Sequence, residues 1–411
     1  MGSFVPPRPW RRALVLCALF ALSSLLVGRA AYAQQEQTLV AVGDVHGNFD
    51  GLCDILKRVG LINDAHHWSG GQATFVQVGD LVDRGTRERD VLDLMIQLES
   101  EAPEVGGQVE ALIGNHEIMN IMGDLRYATP QIFATFATPD SEALRKASYE
   151  QYLKWQKANG DLLSEMKDPS FSPSEQEWLE KHPPGFFEQR VAFSRNGVYG
   201  KWIREHHAIV IFNSILFLHG GIAPEQSRLT VDQLNSRIRS EVRQWDDAFQ
   251  YLVDRKLVLP FFTFQETLAI VKGIFALAAK TRRMAPEEQK EKLAPFLTLG
   301  EWLCISQTGP LWYRGYDQWS DDDGAPQADA LLRSYKVAAI VVGHTVQKTL
   351  SIRARFGGKV FLMDTGMVAS AAGAGRASAL QILGNTKFTA IYLDGENVLY
   401  EKGSAASAKA P

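Results

Sequence analysis

The sequence predicts an α/β layered fold interrupted by two helical insertions. Three observations carry that expectation. First, Thr38–Val42, Thr74–Val78 and Val109–Ile113 are short apolar, β-branched runs that read as buried strands. Second, each run leads to a glycine followed by residues able to hold a metal: Gly43-Asp44-Val45-His46, Gly79-Asp80-Leu81-Val82-Asp83 and Gly114-Asn115-His116-Glu117. Third, the first two loops are followed by helical spacing. Such strand–loop–helix units gather ligands at the carboxyl ends of the strands.

The chain has 411 residues, 45% of them hydrophobic, enough for a large core. A formal net charge of -4 gives no electrostatic case for nucleic acid as a partner. At the N-terminus, Arg8, Arg11 and Arg12 precede an apolar run, Ala13–Val27, and then Ala31-Tyr32-Ala33. That order reads as a signal peptide over residues 1–33, cleaved before Gln34. The apolar run is short for a bilayer span, so no stable membrane insertion is expected after cleavage. The protein is expected to be exported, periplasmic or secreted, by the general route; Arg11-Arg12 also admits twin-arginine export. The first 33 residues carry four arginines and no acid, so removal leaves 39 basic against 47 acidic residues. Cys17 leaves with them. Cys53 and Cys304 remain, either paired or as buried thiols.

After the first loop, Leu52, Ile55, Leu56 and Val59 recur at helical spacing up to Gly60. Asp44 and His46 stand two apart in what reads as an extended segment, which would point both side chains to one side. After the second loop, a charged amphipathic helix runs through Val91, Leu92 and Met95. Residues from about 118 to 205 are charged and aromatic, and read as helices and loops inserted in the core. Such an insertion is extra scaffold or a lid over the substrate. His207–Phe212 and Ile215–Leu218 form a hairpin about Asn213-Ser214 that delivers His219-Gly220-Gly221. A second helical insertion is expected from about 225 to 300. Val337–Val342 leads to Gly343-His344-Thr345, and Val360–Met363 to Asp364-Thr365-Gly366. Lys387–Leu393 and Asn397–Tyr400 form a closing hairpin. A single domain is thus expected over 34–400, with a disordered tail at 401–411.

These motifs, in this order, resemble the calcineurin-like metallophosphatase superfamily. Asp83-Arg84-Gly85 and His219-Gly220-Gly221 narrow the resemblance to its phosphoprotein phosphatase branch. Gly114-Asn115-His116-Glu117-Ile118-Met119-Asn120, Pro310-Leu311-Trp312-Tyr313-Arg314-Gly315 and Gly343-His344-Thr345 look most like the bacterial Shewanella-like phosphatases. The resemblance implies a two-sheet β-sandwich flanked by helices, and two divalent ions. Asp44, His46 and Asp80 would hold one ion, and Asp80, Asn115, His219 and His344 the other, with Asp80 bridging. Mixed oxygen and nitrogen donors suit manganese, iron or zinc rather than calcium. The resemblance further implies that His116, oriented by Asp83, protonates the leaving oxygen, and that Arg84 and Arg314 bind the phosphate. A metal-bridging hydroxide would attack phosphorus directly.

Expected substrates are therefore phosphomonoesters: a phosphoprotein, with phosphotyrosine among its forms, or a small ester. Two alternatives stand beside this: a dinucleoside polyphosphate hydrolase, which shares the early motifs, and a catalytically silent metal-bound binding module. Glu117 is read as a structural carboxylate. Asp364 is read as a turn residue, with support of a metal histidine as the alternative. His66-His67 and His206-His207 read as surface or strand-edge residues. Trp312 and Tyr313 either flank a substrate ring or belong to the core.

Overall fold

The computed structural model describes residues 1–2, 38–281, 287–368 and 375–403. The chain divides into two units, Met1–Gln37 and Thr38–Pro411. Only Met1 and Gly2 of the first unit are described. The expected signal peptide therefore lies outside the described residues, as does the expected tail beyond residue 403.

The second unit opens with β1 (Thr38–Val42) and α1 (Phe49–Arg58). The Asn48 side chain accepts the Gly51 N–H at 3.0 Å and caps that helix. Leu52, Ile55 and Leu56 face inward, as their spacing predicts. β2 (Thr74–Gln77), α2 (Glu88–Glu101) and β3 (Gln108–Ala111) repeat the arrangement. β1, β2 and β3 pair in parallel, so all three metal-competent loops leave the same sheet edge. α3 (Asn115–Met122) starts inside the third motif and ends at Gly123, whose φ of 82° is the left-handed stop favoured by glycine. Ile118, the expected start of the first insertion, falls within this helix, and a further stretch of chain follows Gly123.

That chain holds α4 (Pro130–Ala134), α5 (Ser141–Ala158), α6 (Gly160–Met166), α7 (Glu175–Lys181), α8 (Phe186–Ala192) and α9 (Val198–Glu205). β4 (Ile209–Phe212) and β5 (Ile215–Leu218) follow as a hairpin. Asn213 and Ser214 take φ of 46° and 60°, the left-handed pair that a tight two-residue turn requires. The second insertion holds α10 (Val231–Asp254), α11 (Phe264–Thr281) and α12 (Glu287–Leu293). The two insertions are one helical body. Tyr152, Trp155 and Trp178 of the first share a buried aromatic core with Phe261, Phe262 and Ile270 of the second. This body is tied to the end of α3. Gln189 Nε2 and Arg190 Nη1 donate to the side chain and backbone of Asn120, each at 2.8 Å, and Phe264 N donates to Gly123 O at 2.9 Å.

α13 (Gly315–Gln318) and α14 (Asp321–Tyr335) lead into β6 (Ala339–Val342), β7 (Arg353–Arg355) and β8 (Val360–Leu362). β9 (Ser378–Leu383), β10 (Lys387–Tyr392) and β11 (Gly395–Glu401) complete the strands. One sheet has the order β11-β10-β9-β1-β2-β3 and the other β4-β5-β6-β8-β7. Leu39, Val76 and Phe388 of the first sheet bury against Phe217, Val341 and Phe361 of the second. Helices pack on the outer faces. The result is the helix-flanked two-sheet sandwich that the resemblance implied. β7 and β9 were not expected from the sequence. Cys53 and Cys304 are free and buried. Among the described residues, no helix is long and apolar enough to cross a membrane.

The Phe361 and Phe388 rings stack at 4.3 Å and 7° between the sheets. Phe361→Ala should therefore cost about 3–5 kcal/mol, measured by urea unfolding. Leu297, 68% exposed, serves as the control; Leu297→Ala should stay within about 0.5 kcal/mol.

Candidate active site

Six loops converge at the carboxyl ends of β1, β2, β3, β5, β6 and β8. They bring Asp44, His46, Asp80, Asn115, His219 and His344 together, all of them buried. The backbone there is unusual. His46, Asp80, Asp83, Arg84 and His344 all have positive φ, between 48° and 68°. Each such non-glycine residue costs about 1 kcal/mol or more, so the surrounding contacts must impose it. The Asp80 carbonyl accepts the N–H groups of Val45 and His46 at 3.0 and 2.9 Å, and Gly47 N donates to Leu81 O at 2.7 Å. The first two loops are thereby knitted together. This corrects the expectation for Asp44 and His46. They share a side because His46 turns left-handed, not because the segment is extended.

Asp80 lies at the centre. Its Oδ2 is 3.2 Å from His219 Nε2, 3.6 Å from His46 Nε2 and 3.8 Å from His116 Nε2. Two triads of possible metal donors share it: His46–Asp80–His116 and Asp80–His219–His344. Asn115 Oδ1 is 3.0 Å from His219 Nε2, and Asp44 Oδ2 is 3.9 Å from His46 Nε2. Both Asp44 oxygens also accept the His344 N–H, at 3.0 and 3.1 Å. Backbone carbonyls fix the imidazoles. His46 Nδ1 donates to Val82 O at 2.8 Å and His219 Nδ1 to Val78 O at 2.9 Å, which turns each Nε2 toward Asp80. His344 is reversed: its Nε2 donates to Trp312 O at 3.1 Å, leaving Nδ1 as the donor atom.

The charges ask for a cation. Burial, Asp364 and Asp80 hold the Asp44 carboxyl well above the usual carboxylate range. Burial opposes ionisation of Asp80 too, but His219 and His116 beside it prevail and hold it well below that range. Burial would depress His219, yet Asp80 and Asp44 push it up to about 9. Burial brings His46 down to about 3 and His344 to about 2, so both stay neutral and free to coordinate. His46 Nε2 is buried without a hydrogen-bond partner. Two buried carboxylates, a carboxamide and three oriented imidazoles fit divalent transition ions.

A second layer holds these groups in place. Glu117 accepts N–H groups from Gly114 at 2.7 Å, Asp80 at 2.9 Å and Leu81 at 2.8 Å, so its contacts are those of a structural carboxylate. A side chain at Gly114 would collide with Asp80. Asp364 is the turn residue it was read as, its Oδ1 accepting the Gly366 N–H at 2.9 Å; its charge bears on Asp44 rather than on a metal histidine. His116 Nδ1 donates to Asp83 Oδ2 at 2.6 Å, and its Nε2 lies 3.2 Å from Arg84 Nη2. Arg314 Nη1 is held by His344 O at 2.8 Å and Thr345 Oγ1 at 3.1 Å, which sets it against the His344 loop.

Two neighbours escaped the sequence reading. Glu88 accepts the Asp83 N–H at 3.0 Å, and burial with Asp83 raises it to about 8; in sequence it is one more acid opening a helix. Tyr127 packs its ring 4.9 Å from that of His116; it lies in inserted chain, where no motif marks it. Trp312 and Tyr313 turn out to be packing residues. Trp312 Nε1 donates to Cys304 O at 3.1 Å, and Tyr313 packs on Tyr316 and Trp319. His67, His206 and His207 pair with Glu101, Glu99 and Glu110 outside the cluster, and His66 lies against Phe49.

Shewanella-like protein phosphatase 2 of Arabidopsis thaliana is 29% identical over 233 residues, covering 53% of this chain and 54% of its own. This chain thus spans about half the length of that relative. Shewanella-like protein phosphatase 1 of Plasmodium berghei is 23% identical over 329 residues, covering 80% of this chain and 67% of its own. The cold-active protein-tyrosine phosphatase of a psychrophilic Shewanella species shares the fold, with a TM-score of 0.55 and 24% identity over 89% of this chain and 80% of that one. Residues 38–348, most of the chain and all six converging loops but the last, match the calcineurin-like phosphoesterase family. The chain belongs to that family.

Proposed function

We propose that this protein is a binuclear-metal phosphomonoester hydrolase acting on phosphoprotein, with phosphotyrosine among its substrates. The observation that carries the reading is Asp80, one buried carboxylate grouped with His46 and His116 on one side and with His219 and His344 on the other, of which His116 is kept for the proton. Asp44, His46 and Asp80 would hold one ion, and Asp80, Asn115, His219 and His344 the other. Bound there, two divalent ions supply Lewis acidity to the phosphoryl oxygens and lower the pKa of a coordinated water.

The remaining steps belong to the chain. Arg84 is exposed at the rim and offers a planar guanidinium to the non-bridging phosphate oxygens. Arg314, anchored on the His344 loop, offers a second. Water attacks phosphorus in line, the bond to the leaving oxygen breaks, and that oxygen takes a proton from His116 Nε2. Burial alone would disfavour the imidazolium. Asp80 and Asp83 outweigh it and keep the His116 pKa above its ordinary value, which suits an acid. Asp83 holds the ring through Nδ1, so only Nε2 can face the substrate. The phosphoprotein reading draws support from relatives named as protein phosphatases, and the phosphotyrosine reading from the Shewanella tyrosine phosphatase that shares the fold.

The test is a rate comparison of the metal-loaded enzyme across phosphotyrosine, phosphoserine, small phosphomonoesters and a dinucleoside polyphosphate. Phosphomonoesters should be the better substrates; preference for the dinucleoside polyphosphate would overturn the assignment. His116→Asn should lower kcat by about 10²–10⁴ while metal content is retained. Asp80→Asn should abolish turnover, and near-wild-type hydrolysis of p-nitrophenyl phosphate by either variant would sink the site assignment. Elemental analysis should find about two transition ions per chain. Chelation should lower Tm, because ions that bind only the folded state stabilise it; Asp80→Asn should erase that metal-dependent shift.

A further inference from the structure

Tyr127 has no part in the roles above, yet it touches two of their members. It lies in a turn just past the end of α3, and the residue is 42% exposed. Its ring centroid is 4.9 Å from that of His116, at 41°. The Arg84 guanidinium carbon is 5.5 Å from the same ring. The turn is anchored. Asp124 N donates to Met119 O at 2.8 Å, Asp124 binds Arg126, and Gln265 Nε2 of the helical body donates to Asp124 at 2.7 Å. An exposed aromatic ring is thus held on a pinned turn, against a buried imidazole and beside an exposed cation.

We propose that Tyr127 is the specificity-determining residue of this site and stacks on the leaving group of an aryl phosphate. The inference rests on the reading of His116 as the proton donor. An acid must come within hydrogen-bond reach of the oxygen it protonates, so the leaving group departs on the His116 side of the site. A group bonded to that oxygen extends outward past His116, where Tyr127 and Arg84 stand. Arg84 carries the charge that binds phosphate, and Tyr127 offers a polarisable face to what the phosphate is attached to. An aromatic face favours a phenolic leaving group over an alkyl one, because offset stacking adds to plain area burial. The other aromatics near the metal ligands do not compete for that place. Trp312 packs at His344 with its N–H bound to Cys304 O, and Tyr313 packs into the Tyr316–Trp319 cluster. The substrate class assigned is therefore an aryl phosphate monoester, whose peptide form is phosphotyrosine.

The experiment measures kcat/KM for aryl and alkyl esters with metal-loaded wild type, Tyr127→Ala and Tyr127→Phe. One pair is a phosphotyrosine against a phosphoserine peptide; the other is phenyl phosphate against glycerol 2-phosphate. Tyr127→Ala should lower the aryl-to-alkyl ratio about three- to tenfold, the range of one aromatic–aromatic contact, mainly through KM. Tyr127→Phe should keep the ratio, since the face acts and not the hydroxyl. A fall in the small-ester pair alone still carries the ring contact and assigns a small aryl ester as substrate. A fall in the peptide pair alone overturns it, because the contact is then with peptide. A ratio unmoved by Tyr127→Ala, whether or not both rates drop, also overturns it; Tyr127 would then merely pack on His116. Wild type that turns over neither series overturns the phosphatase reading and this inference with it.

Discussion

The arrangement hangs on the burial of the Asp80 charge. A carboxylate removed from water is costly unless something compensates it. Here three imidazoles surround one oxygen, while the other accepts the His116 N–H at 3.0 Å. The same residue organises the backbone. Its carbonyl ties down the Asp44–His46 loop, and its N–H is held by Glu117. Asp80 thus joins three loops from three strands before any ion enters. The left-handed conformations of His46, Asp80, Asp83, Arg84 and His344 are where this fixation is offset by strain, as is usual at functional sites.

The residues forming this centre were legible because they come as short motifs at strand ends. The helix α1 was legible from its period, and the β4–β5 hairpin from its Asn-Ser turn. What stayed hidden was whatever depends on distant chain. β7 is three residues long with two arginines, and β9 is too small-residue-rich in its approach to announce itself. That the two insertions form one body could not be seen, since Tyr152 and Phe262 meet only in space. His46 lies among the other candidate ligands by a route the sequence does not show, because local sequence does not disclose a positive φ imposed by a neighbouring loop. Glu88 and Tyr127 were missed for the same cause: one resembles any helix-opening acid, the other any loop aromatic.

The helical body is more than decoration on the sandwich. Its contacts with Asn120 and Gly123 fall at the far end of the helix whose first turn carries Asn115 and His116. Helices transmit displacement well because their backbone bonds are internal. The orientation of those two side chains is therefore set from both ends: by Asp80 and Glu117 at the strand side, and by Gln189 and Arg190 at the other.

The pairing of β9 with β1 carries a consequence for how the chain reaches this state. Thr38 opposes Leu383, and Ala41 opposes Leu380. The first strand of the core therefore gains its second neighbour only when the last strands exist. Contacts of such long sequence separation slow folding, because loop closure precedes any reward. The centre around Asp80 cannot mature as the N-terminal half emerges from the ribosome. Until the C-terminal strands arrive, the edge of β1 stays open to wrong partners.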